Sequence, residues 1–125
     1  MRFDWTEYLT LARELVGDSA VAATPEARRR AAISRAYYAA YGAARQLLVT
    51  RGEYANPDRS GSHEAVIRLF REHPARGRQD LGRDLDRLRR AREVADYQAD
   101  TEVGDDLATA ALARAARIVN GLRRV

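Results

Sequence analysis

The stretch at residues 31–48, AAISRAYYAAYGAARQLL, is apolar around nearly its whole circumference when wound as a helix. A helix of that kind cannot lie on a surface with one wet face, so it must be the central rod of a bundle. Its ends are marked clearly. Thr24 offers an N-cap hydroxyl, and Pro25 suits the first helical position, where a missing N–H costs nothing. The helix should run through Ala27–Thr50 and stop before Gly52. Arg35 stands inside the apolar stretch. A guanidinium there snorkels outward, meets an acid, or belongs to a functional surface.

Four further helices can surround this rod. The first is expected to start at Asp4 as cap, with Glu7 as its capping-box partner. Trp5, Tyr8, Leu9, Ala12, Leu15 and Val16 then share one face, with Trp5 and Tyr8 as core packing, and Gly17 stops the helix. Residues 53–61 read as a loop. Ser62 or Ser60 can cap a short helix with Ala65, Val66, Leu69 and Phe70 as its buried stripe, ended by Pro74. The segment ARGRQ, residues 75–79, reads as a basic connector. Helix four buries Leu81, Leu85, Leu88 and Ala95. After a turn at Asp100–Gly104, Thr101 or Asp105 can cap a last helix that turns Leu107, Ala111, Ile118 and Leu122 inward. No stretch alternates apolar and polar residues as a strand would. The predicted fold is all-α, an antiparallel bundle of four to five helices in a single domain spanning 1–125.

Composition excludes several kinds of chemistry. Without cysteine there is no disulfide, thiolate nucleophile or cysteine-held zinc. The two histidines are far apart and lack acidic partners at ligand spacing, so neither a metal nor a cofactor is expected. No apolar run approaches the roughly 18–20 residues needed to cross a bilayer, and no signal-peptide core is present, so a cytoplasmic protein is expected. The net charge is +4, and all 22 basic residues are arginine. Complete absence of lysine points to genome-wide replacement, so only the placement of the arginines is informative.

Four blocks in order, FDWTEYLTLARELV, AAISRAYYAAYGAARQLLVTRG, SHEAVIRLF and LDRLRRAREVADY, resemble the HEPN family, in particular its small stand-alone prokaryotic members. The resemblance implies a bundle of four to five helices dimerised through its long helices. It also implies a link to RNA or nucleotides. Many family members are metal-independent endoribonucleases, often toxins neutralised by a nucleotidyltransferase-like antitoxin, and others are non-catalytic partners. Catalytic members carry an arginine followed four to six residues later by a histidine near the end of this fourth helix.

Helix four here has no histidine. Aligning Tyr97 with the tyrosine that often follows that histidine makes Arg90 the motif arginine and puts Ala95 in the histidine position. A second register pairs Arg92 with Tyr97. Neither supplies an ordinary base, because a tyrosine with pKa near 10 is only about one part in a thousand ionised at neutral pH. Arginine does not deprotonate at all, and Asp96 is a weak base for a hydroxyl. His63, at a helix N-terminus that disfavours the imidazolium, is either a substitute base or an early-turn residue packed locally. His73 should complement the dipole at the end of its helix. The arginines of helix four are interleaved with Asp80, Asp84 and Asp86, as on a solvated face, yet Arg89, Arg92 and Asp96 share one side. The Arg92–Asp96 pair is a structural salt bridge or a ligand-facing device.

Three functions compete. The first is a homodimeric module that binds RNA or nucleotide through Arg35, Arg89, Arg90, Arg92 and Asp96, or docks a nucleotidyltransferase-like partner, without robust catalysis. The second is an endoribonuclease toxin using Arg92, Tyr97 and His63. The third is a non-enzymatic helical adaptor.

Overall fold

The computed structural model describes residues 2–17, 22–55 and 62–125. Five helices follow one another: α1 (Glu7–Gly17), α2 (Pro25–Thr50), α3 (Ser62–Arg71), α4 (Arg76–Tyr97) and α5 (Asp105–Leu122). No strand occurs among the described residues. None of their helices is long and apolar enough to cross a membrane.

As its sequence demands, α2 packs against all four other helices. Ala32, Ala36, Ala39, Ala40 and Ala44 are fully buried along it, and small side chains let neighbouring helices come close. Larger groups fill the remaining space, with Tyr37, Ile33, Leu48, Phe70, Leu85, Leu88 and Ile118 fully buried. Side-chain pairings give the directions. Ser34 meets Asp96 while Glu53, just past α2, meets Arg78, so α4 runs antiparallel to α2. Arg114 meets Asp84, and Gly121 packs on Leu81, so α5 is antiparallel to α4 and therefore parallel to α2.

Local chemistry explains the boundaries of α2. The Thr24 hydroxyl accepts the Ala27 N–H at 3.1 Å, and Gly52 ends the α2 region with φ +69°, a left-handed conformation that glycine takes without strain. Elsewhere the ends shift from expectation. Asp4 does accept from the Thr6 backbone and hydroxyl, but it caps a tight turn, and α1 proper begins at Glu7 without the reciprocal capping-box bond. Residues 76–79 are the first turn of α4, not a connector. The His73 ring accepts the Ala75 N–H at 3.0 Å, so it organises the entry to α4. Gly104 is the N-cap of α5, with neither Thr101 nor Asp105 capping by side chain. Ser62 lies inside α3 and accepts from Tyr41, whereas Ser60 is outside the described residues. Val16 and Leu69, expected inward, are exposed.

Arg78 is the unexpected core residue. Its guanidinium is buried, pairs with Glu53 at 3.1 Å and lies 5.4 Å from the Phe70 ring centre. It thus ties the end of α2 to the start of α4. A second constraint on the α3–α4 junction is Gly82, where a Cβ would stand 2.7 Å from the Arg71 backbone nitrogen. Gly82→Ala is therefore expected to destabilise the protein by about 1–3 kcal/mol through overpacking, despite alanine's better helix propensity. Urea denaturation checks this; a neutral or stabilising result would mean that α3 yields freely.

Candidate functional site

The tyrosines of α2 fall at 37, 38 and 41, with Ser34 one turn earlier, and helical spacing gathers all four on one side. The C-terminal half of α4 and the start of α3 pack over that side. Arg92, only 8% exposed, arrives from α4 with its guanidinium 5.2 Å from the Tyr37 ring centre, 5.7 Å from Tyr38 and 5.8 Å from Tyr97. The Arg35 guanidinium lies 5.1 Å from the Tyr38 ring centre and 4.9 Å from that of Tyr8. Two cations thus share one tyrosine ring, each attracted by its negative face.

Compensation by acids is thin. Asp96 stands 3.7 Å from the Arg92 guanidinium and also accepts the Ser34 hydroxyl at 3.3 Å. Arg35 reaches only the Ser34 oxygen, at 3.4 Å. The expected choice for Arg35 between an acid and open solvent is resolved by aromatic faces instead. The Arg92 Nε atom is buried with no hydrogen-bond partner among the described residues. A buried donor of that kind costs free energy until something accepts from it.

His63 joins this cluster from the first turn of α3. Its ring stacks on Tyr41 at 4.2 Å and 6°, and its Nδ1 lies 2.6 Å from the Tyr37 hydroxyl oxygen. Burial holds the imidazole below its ordinary pKa, and repulsion from Arg92 and Arg89 adds to the effect, so the ring is neutral at pH 7. Burial likewise pushes the Tyr37 hydroxyl well above the usual tyrosine value, so it keeps its proton. Nδ1 is the hydroxyl's one described partner. The arrangement that satisfies both groups has Tyr37 donating to Nδ1 and the His63 proton on Nε2. In that tautomer Nδ1 is engaged by the tyrosine and Nε2 carries the ring's N–H.

Because the folded-state pKa of His63 is lowered, its contribution to stability is complete above about pH 6.5 and is lost as pH falls through the folded value. Thermal unfolding is expected to show a stability decline as pH falls below about 6.5 that His63→Phe flattens. Asp4 and Glu26, also held low by hydrogen bonds, act below this window. An unchanged pH slope in His63→Phe would contradict the assignment.

The other anticipated residues are placed unequally. Arg89 pairs with Glu93 at 3.4 Å and lines a groove of about 530 Å³ between α3 and α4. Arg90 is well exposed and pairs with Asp86 at 2.8 Å, away from the tyrosines. Ala95 is buried in the core, so the Arg90–Ala95 register puts one side chain in solvent and the other inside the bundle. The Arg92–Tyr97 register converges instead, and Tyr97 presents a ring that is 74% exposed. Tyr37, Tyr38, Tyr41 and Ser34 were not singled out from sequence, although their spacing in SRAYYAAY carries the signal. No cluster of potential metal ligands occurs among the described residues.

No curated protein and no solved structure matches the chain significantly. The family model for the HEPN domain matches residues 9–125, which include four complete helices, most of α1 and every side chain of the arginine–tyrosine cluster except Tyr8. On that match and this all-helical architecture, the chain belongs to the HEPN domain family.

Proposed function

We propose that this chain is a cytoplasmic binding module for the phosphates of RNA or nucleotides, one that holds its ligand without cleaving it. The observation that carries the reading is the buried Arg92, ringed by tyrosines, weakly matched by Asp96 and left with an unsatisfied Nε. A phosphate oxygen is the acceptor that such a guanidinium suits, and exposed aromatic rings such as Tyr97 stack on bases. Arg35, Arg89 and the His63 Nε2–H would add positive charge and a donor, while Arg90 contributes at longer range. The family resemblance extends the proposal to a homodimer, in which two such clusters would add their potentials in one cleft, and to a nucleotidyltransferase-like partner.

One observation favours the endoribonuclease reading. His63, remote in sequence, stacks on Tyr37, over which the Arg92 guanidinium also lies. The direction of its bond with Tyr37 weighs against a role as base. End-labelled RNA incubated with the protein in EDTA separates the two. Binding without cleavage predicts full-length RNA after hours, retained at low salt. Metal-independent products that disappear in both Arg92→Ala and His63→Gln would establish catalysis instead.

A further inference from the structure

Beside the arginine cluster lies a slot of about 300 Å³, walled by Trp5, Tyr38 and Tyr41 and edged by Gln46 and Ser62. Its size is at the small end of the range for ligand sites, and its walls are flat rings. The edge is polar in both senses. Tyr41 donates to Ser62 at 2.8 Å, which leaves the serine's own proton without a partner among the described residues. Gln46 gives one amide N–H to Thr50 at 2.9 Å, which leaves its second N–H and its carbonyl oxygen. The chemistry fits a planar group with donors and acceptors on its rim.

The slot is also coupled to charge. Tyr38 is one of its walls, and the same ring lies 5.1 Å from the Arg35 guanidinium and 5.7 Å from that of Arg92. An occupant that is planar at one end and anionic at the other would satisfy both parts. We infer that the Trp5–Tyr38–Tyr41 slot takes an unpaired nucleobase whose own phosphate sits on Arg35 and Arg92. This rests on the phosphate-binding reading above and deepens it, because the unit recognised becomes a base, sugar and phosphate together. Paired bases cannot enter such a slot, so duplex RNA is excluded. The unit can come from a single strand or from a free ribonucleotide.

Trp5 is the chain's single tryptophan, so its emission reports on the slot directly. The protein is titrated with AMP, UMP, a short unstructured oligoribonucleotide, that oligoribonucleotide annealed to its complement, and ribose 5-phosphate. Quenching by the nucleotides and the single strand, but not by duplex or ribose 5-phosphate, is the expected result. Tighter binding of the oligoribonucleotide than of AMP or UMP identifies a strand as the source; equal or weaker binding identifies the free nucleotide. Gln46→Phe, which fills the slot from its edge, should weaken single-strand binding about tenfold, in line with the loss of one stacked base. Its competition by ribose 5-phosphate should be unchanged. Strand binding that depends on Arg92 but leaves Trp5 emission and Gln46→Phe affinity unaltered would overturn the slot and leave the phosphate reading standing. Absence of binding by every ligand at low salt would overturn both.

Discussion

Arg30→Met is expected to cost about 3 kcal/mol of folding stability, within the range for breaking a shielded, charge-assisted network. The Arg30 guanidinium donates to the backbone oxygens of Val94 at 3.2 Å, Ala95 at 3.0 Å and Gln98 at 3.1 Å, and to that of Thr101. Val94 and Ala95 belong to the last turn of α4, where the helix dipole is negative, and the Val94 oxygen also accepts the Gln98 N–H at 3.1 Å. One cation from α2 therefore closes the end of α4 and the turn that follows. Glu26 accepts from Arg30 at 3.2 Å and from the Val103 N–H at 3.0 Å, so the same network holds the entry to α5. Methionine keeps much of the packing of the stem and removes every bond. Guanidinium denaturation should show a lower midpoint with an unchanged slope. Arg30→Lys should recover only a minor part, because an ammonium has three donors and no planar fork. A loss below about 0.5 kcal/mol, the level of an ordinary surface substitution, would show that water replaces the clamp without penalty.

The second large effect concerns Arg92. Its removal takes away the one guanidinium that meets Tyr37, Tyr38 and Tyr97 together, and single-stranded RNA affinity should fall tenfold or more, about 1.4 kcal/mol or above. Arg92→Lys should rescue little of it, since an ammonium keeps the charge but neither the fork nor the stacking plane. Arg90→Ala should lose far less, because that side chain is solvated and engaged with Asp86. The contrast between neighbouring arginines is the informative result, as overall charge changes equally in both.

These two arginines show what the sequence carried and what it hid. The all-round apolarity of α2 announced a bundle, and Thr24, Pro25 and Gly52 marked its central helix because caps and turns are local chemistry. Arg30 is the last of three consecutive arginines, and its one local mark is Glu26 a turn earlier. The backbone oxygens it clamps lie more than sixty residues away. Arg78 misled for the same reason: a polar first turn looks like a connector until Glu53 and Phe70 are seen around it. The site was half legible. Arg92 and Asp96 were picked out by their helical spacing, Tyr97 by the family resemblance, and Arg35 by being a cation among alanines. His63 could be placed beside Arg92 only by the packing of α3 on α4, which depends on the close approach at Gly82. Its hydrogen-bond partner, Tyr37, comes from a third element, and no local pattern announces the pairing.

The most direct test of the account is a salt series of single-stranded RNA binding by the unmodified protein and by Arg92→Ala, in EDTA, with the RNA recovered and sized afterwards. Binding that weakens with salt, a tenfold or greater loss in Arg92→Ala with a shallower salt slope, and intact RNA throughout are the predicted results. Equal affinity of the two proteins, or RNA shortened by the unmodified protein and spared by Arg92→Ala, would contradict it.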